Sequence, residues 1–202
     1  MEFRDVLAQR RMHRAFLPDP VPQETLARIA RSVRRAPSGG FSQGQSLVVV
    51  TELATREQIA AAMDEHLYVE KGWPPFMTTA PAHIVVCASE ARYHERYNKP
   101  DKLAESGGVE IHWPVPYWYV DAGAAMMLVL LAAIDEGLAA AFTGHPDQEE
   151  RLREILGLPD DVVPIGVAFV GRAAPDPRSD TSSSRFREQR RPLADCIRWE
   201  RW

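Results

Sequence analysis

The run YVDAGAAMMLVLLAAIDEG, residues 119–137, constrains the fold more than any other stretch. Wound as a helix, it carries apolar side chains at every angle and has no polar stripe for water. Such a helix needs neighbours all round it, so the run predicts a fully buried central helix stopped by Gly137. Its most apolar part, AGAAMMLVLLAAI, is about 13 residues, short of the ~20 needed to cross a bilayer. The expectation is a core helix and no membrane.

The β-branched runs SLVVVTE (46–52), AHIVVCAS (82–89) and VPIGVAFVGR (163–172) predict strands, with LAAAFTG a fourth extended piece ending at Gly144. Helical spacing appears over residues 2–11 through Phe3, Val6 and Leu7. It appears again after Pro22 through Leu26, Ile29, Ala30 and Val33, ended by Pro37 and Gly39–Gly40. Two more helices are expected over 55–67, with Thr55 as cap, and over 147–157, with Asp147 as cap and Gly157 as stop. Residues 68–80 read as irregular. Residues 94–118, rich in Gly, Pro, Trp and Tyr, read as a long functional loop or lid. Residues 173–188 are polar and read as an extended arm, and RRPLADCIRWERW after it regains apolar residues, as a tail does when it packs on something. Together these give an α+β chain, one domain over 1–202 with an arm over 173–202.

With a net charge of −4 the chain has no global basic field, which argues against a nucleic-acid partner. Cys87 and Cys196 have neither the spacing of a zinc site nor histidines at ligand spacing, so no metal is expected. No apolar leader opens the sequence, and the chain is read as cytoplasmic with reduced thiols.

Against that acidic background QRRMHRAF, residues 9–16, stands out. Arg10, Arg11 and Arg14 could form a phosphate fork, because guanidinium groups bind phosphate bidentately and stay charged. The plainer reading is a solvated face at a helix end. Further on, RRAPSGGFSQGQ offers flexible backbone and N–H groups to a flat or anionic ligand, or simply a helix stop and a turn. A second Arg-Arg pair follows the arm at 190–191.

Taken in order, RRMHRAF, RRAPSGGFSQGQSLVVV, TTAPAHIVVCA, DAGAAMMLVLLAAIDEGLAAAFTG, LREILGLPDDVVPIGVAFVG and RRPL resemble the nitroreductase family of FMN-dependent flavoproteins over essentially the whole chain. The resemblance implies a mostly antiparallel central sheet flanked by helices, in a homodimer whose C-terminal arm wraps the partner. It implies FMN as cofactor, with NADH or NADPH giving hydride to flavin N5. A small electrophilic acceptor, a nitroaromatic or quinone, then takes the hydride in a ping-pong cycle. Arg10, Arg11 and Arg14 would hold the phosphate and ribityl chain, with Arg190 completing the phosphate site. Pro37, Ser38, Gly39 and Gln43 would lie along the isoalloxazine from the other subunit, and Thr143–Gly144 would face N5 with a backbone N–H. Met12 stands in that cofactor set where the family has Ser, removing one phosphate hydrogen bond. Phe41 replaces the usual Asn, and Gly44–Gln45 replace Pro-Trp. Phe41, Trp113, Tyr117 and Trp118 are the expected substrate-pocket residues; for the three loop aromatics, core or interface packing is the competing reading. Two other functions keep the fold: a flavin-dependent oxidase or dehydrogenase of a specialised metabolite, and a flavin-binding protein with little turnover.

Overall fold

The computed structural model describes residues 1–145, 147–175 and 191–202. Four strands form one sheet: β1 (Gln45–Val50), β2 (Ala82–Ala88), β3 (Ala139–Thr143) and β4 (Val163–Gly171). Their order across the sheet is β1-β2-β4-β3, and every neighbouring pair is antiparallel. The α+β class and the antiparallel sheet expected from sequence are therefore present.

Successive side chains on a strand face opposite sides, and the central strands bury both. On β2 and β4, Val85, Cys87, Val167 and Phe169 enter one core, while Ile84, Ala168 and Val170 enter the other. Helix α3 (Leu53–Ala62), the short α4 (Glu65–Glu70) and α5 (Phe76–Thr79) lie on the first side, with α9 (Gln148–Leu156). Ile59, Met63, Phe76 and Leu152 fill that core. Helix α2 (Gln23–Ser32) and α8 (Tyr117–Asp135) close the other face through Ile29, Ala125, Val129, Leu130 and Ala133. Cys87 is enclosed, and burial pushes its thiol up to about 11, which leaves it an inert core residue.

Helix α8 starts two residues earlier than the sequence suggested and spans 19 residues, so it meets the length and apolarity needed to cross a bilayer. Its packing on the sheet makes it a core helix instead. It is not buried all round within one chain: Tyr119, Val120 and Met127 are exposed. Helix α1 is shorter than expected, Phe3–Gln9. Thr55 is not the cap of α3; the Glu52 carboxylate accepts from the N–H groups of Ala54 and Thr55 at 2.9 and 2.6 Å. Asp147 makes no side-chain cap to α9, whereas Gly157 does end it in the left-handed conformation. Within 94–118 the chain is not a bare loop, since it holds most of α6 (Ala91–Tyr97) and all of α7 (Pro100–Glu105). The final segment holds the single-turn α10 (Leu193–Cys196), with Leu193, Trp199 and Trp202 exposed.

Candidate functional site

Helix α1 ends at Gln9, and Arg10 already has extended backbone. From there the chain runs along the edge of β3 that β4 leaves open. The His13 N–H donates to the Ala140 carbonyl at 3.0 Å, and the Phe142 N–H reaches the Met12 sulfur at 3.3 Å. Beyond, Phe16 and Ala173 make one antiparallel bridge, with Leu17 N–H on the Arg172 carbonyl and Ala174 N–H on the Ala15 carbonyl, both at 3.0 Å.

Extended backbone alternates its side chains, and this separates the basic cluster. Arg11 and His13 line a cavity of about 180 Å³ beside Gln9, Gly137, Ala140 and Ala173. Arg14 goes elsewhere: its guanidinium carbon sits 5.2 Å from the Trp73 ring centroid, a cation–π distance. The Arg14 Nε–H is buried and has no hydrogen-bond partner among the described residues. An enclosed guanidinium N–H without an acceptor is costly, and an anionic oxygen is the group that would satisfy it best. Arg10 is half-buried. Of the expected fork of Arg10, Arg11 and Arg14, Arg11 thus lines the cavity while Arg14 faces the Trp73 ring. Arg190 lies outside the described residues.

The second motif forms a tight turn. Gly40, Phe41 and Gln43 have φ of +56°, +62° and +53°. For the two non-glycine residues that conformation costs on the order of 1–3 kcal/mol each, and persists only where the surroundings impose it. Here the Gly39 N–H donates to Asp121 Oδ2 at 2.8 Å, and the Tyr93 hydroxyl donates to the same oxygen at 2.5 Å. Arg96 Nε donates to the Gly40 carbonyl at 2.8 Å. Inside the turn, Ser42 Oγ donates to the Gly39 carbonyl and the Gln43 N–H to Ser38 Oγ, at 2.6 and 3.0 Å. Burial first, and the Asp121 carboxylate second, push the Tyr93 phenol well above its ordinary value, so it stays a donor. Ser38 and Gly39 are half-buried, Pro37 and Gln43 exposed, and the Phe41 ring is 73% exposed.

Two glycines of this stretch are required by close contacts. A Cβ on Gly40 would sit 2.7 Å from the Tyr97 ring, and one on Gly44 2.6 Å from the Tyr93 ring. They make room for tyrosines of α6.

Tyr93 and Tyr97 belong to an aromatic group with Trp113, Tyr117 and Trp118. The Trp113 centroid lies 4.7 Å from Tyr97 and 5.8 Å from Tyr93. Trp118 is 7% exposed and packs with Tyr93, Ala88 and Ala122, the core packing that was its competing reading. Tyr117 is exposed and Trp113 half-buried. Glu110 ties this region to α6: it accepts from Trp113 Nε1 at 3.1 Å and Asn98 Nδ2 at 2.7 Å, and meets His94 Nδ1 at 2.5 Å. The other nitrogen of His94 faces Glu90 at 3.2 Å. These contacts, Glu110 foremost, raise the His94 pKa. At the far end of β3, Thr143 is buried and Gly144 exposed, just before the His145 N–H that donates to Gln148 Oε1 at 2.9 Å.

Sequence reasoning missed Asp121, Tyr93 and Arg96, the residues that hold the 38–43 turn. Asp121 carried a usable signal, being an acidic residue set in the most apolar run of the chain. Tyr93 and Arg96 carried none, because only the folded chain brings them to the turn.

Comparison with known proteins adds to this geometry. The family model described as "Nitroreductase family" matches residues 7–172. An FMN reductase (NAD(P)H) of Bacillus subtilis is 28% identical over 174 residues, covering 83% of this chain and 64% of that protein. Iodotyrosine deiodinase 1 of Rattus norvegicus is 23% identical over 203 residues, covering 89% and 67%. Among solved structures, a nitroreductase family protein of Clostridium difficile superposes with a TM-score of 0.68 at 23% identity, with both chains covered in full. The NADPH:FMN oxidoreductase of Vibrio harveyi, solved with NAD+, gives 0.73 at 20% identity, covering 99% of this chain and 77% of that one.

Proposed function

Since the chain belongs to the nitroreductase family, we propose that it is an FMN-dependent oxidoreductase using NADH or NADPH to reduce a small electrophilic acceptor. The observation that carries this reading is the family match over residues 7–172, joined to a buried Arg14 N–H that an anion would satisfy. A flavin phosphate fits that donor, so the residues present suit the cofactor.

Bound FMN would supply hydride acceptance and donation at its N5, a chemistry the protein side chains do not provide. What this chain contributes is binding and orientation. Arg10 and Arg14, with Arg190, would hold the phosphate and ribityl chain. Pro37, Ser38, Gly39 and Gln43 would line the ring, and Thr143–Gly144 would present a backbone N–H near N5. Arg11 is left out of this reading because it lines the cavity beside His13 and Ala173 instead. Met12 is left out because its sulfur meets β3. Phe41 and Trp113, with Tyr117, would form the aromatic surface met by the acceptor, which favours a flat, conjugated molecule.

The protein would act as a cytoplasmic homodimer. Val120 and Met127, seven residues apart on α8, are exposed and share one face of that helix. A second copy would cover them.

The test is an absorption spectrum of the protein purified with FMN, followed by anaerobic addition of NADH and then NADPH. A bound flavin band that bleaches supports the reading. A bound band that neither nicotinamide bleaches excludes nicotinamide as donor and leaves the oxidase or flavin-binding alternatives. Absence of bound FMN overturns the proposal.

A further inference from the structure

The turn at residues 38–43 is held in its strained shape from outside, by three side chains of two elements. Asp121 of α8 takes the Gly39 N–H, Tyr93 of α6 donates to that same carboxylate, and Arg96 of α6 takes the Gly40 carbonyl. Arg96 is itself fixed by a two-point contact with Asp101, at 3.0 and 2.7 Å. Asp121 is 7% exposed and Tyr93 is fully enclosed, so the inner half of the clamp is shielded from water. A charge-assisted hydrogen bond in such a place is stronger and more directional than one at the surface.

Two features indicate that the clamp serves the turn. First, its bonds end on the backbone atoms of Gly39 and Gly40, next to a pair of non-glycine residues at positive φ. Second, Phe41 beside the clamped glycines is 73% exposed among the described residues. A buried carboxylate in the apolar α8 is costly to keep, and its described partners are Tyr93 and the turn.

We propose that Asp121, Tyr93 and Arg96 are positioning residues that fix the 38–43 turn, and thereby set how Ser38, Gly39 and Phe41 meet the flavin ring and the acceptor. This rests on the FMN reading above. Neither Asp121 nor Tyr93 is asked to touch the cofactor; they act through the turn.

The experiment compares wild type with Tyr93→Phe, Asp121→Asn and Arg96→Gln. FMN affinity is measured by fluorescence titration of the apoprotein, the visible circular dichroism of the bound flavin is recorded, and the apoprotein Tm is the control for folding. The expected result is FMN binding weakened about tenfold in Tyr93→Phe and Asp121→Asn and several-fold in Arg96→Gln, with altered flavin dichroism. Wild-type affinity and dichroism in all three folded variants overturn the inference, even if Tm falls. Should the two core variants fail to fold, Arg96→Gln decides alone, because Arg96 reaches the turn from the surface side. A wild type that binds no FMN overturns the proposed function, and this inference with it. Binding by wild type with unaltered variants overturns the inference only.

Discussion

Phe142 turns its N–H outward from the edge of β3, and the Met12 sulfur meets it at 3.3 Å. A residue that reads as one phosphate hydrogen bond lost is, in the fold, a soft acceptor that also packs against the α8 core. Arg14 shows the opposite case, a charged side chain whose buried Nε–H has no acceptor among the described residues. Arg14→Ala is expected to weaken FMN binding about 10- to 100-fold, the range of a charge-assisted contact. Equilibrium dialysis would read it, and unchanged affinity would remove Arg14 from the site. Arg11→Ala, on the separate cavity, should leave that affinity near wild type. The split between these arginines was hidden in the sequence for a definable reason. Reading a helix through residue 11 placed the three on one helix end, whereas α1 stops at Gln9 and the extended chain beyond it sends neighbours to opposite sides.

At the scale of elements, what was legible followed from periodicity. The strands and α8 were visible because apolar runs of that length have few other uses. The N-caps were not: Glu52 replaces Thr55, and Asp147 caps nothing with its side chain. The 94–118 region was misread because α6 and α7 are only 7 and 6 residues long. Helices so short gain most of their stability from tertiary contacts that no local pattern announces. Those contacts include the Glu110 hub, and they make the region pH-sensitive. Both ring nitrogens of His94 face carboxylates, so the arrangement is complete only with the imidazolium. The His94 pKa is raised in the folded state, so its stabilising effect is fully present below pH 6.5 and is lost as pH rises through the raised value. Amide hydrogen exchange across residues 106–116, corrected for intrinsic rates, should therefore speed up from pH 6 to pH 9. In Glu110→Gln that dependence should flatten. Equal protection at both pH values in wild type would refute it.

Across the whole molecule, two apolar cores back onto one sheet, and α8 belongs to one of them while showing a bare face to solvent. A chain with a helix so apolar is expected to pair. The double substitution Val120→Arg, Met127→Arg lies at exposed positions and should leave circular dichroism unchanged. By light scattering it should shift the protein from dimer to monomer, and it should abolish FMN retention if the turn and the arginines come from different copies. A wild type that is monomeric at micromolar concentration would refute the pairing. The clamp on the 38–43 turn carries a consequence of another kind, for how such a scaffold diversifies. Its bonds grip main-chain atoms of positions 39 and 40 and never the side chain at 41. That position is thus free to change identity without any supporting residue changing with it, provided the newcomer accepts a left-handed backbone, as Asn and Gly do most readily. Substrate preference can then drift in a lineage by one codon at a time, while the machinery that shapes the turn is inherited untouched.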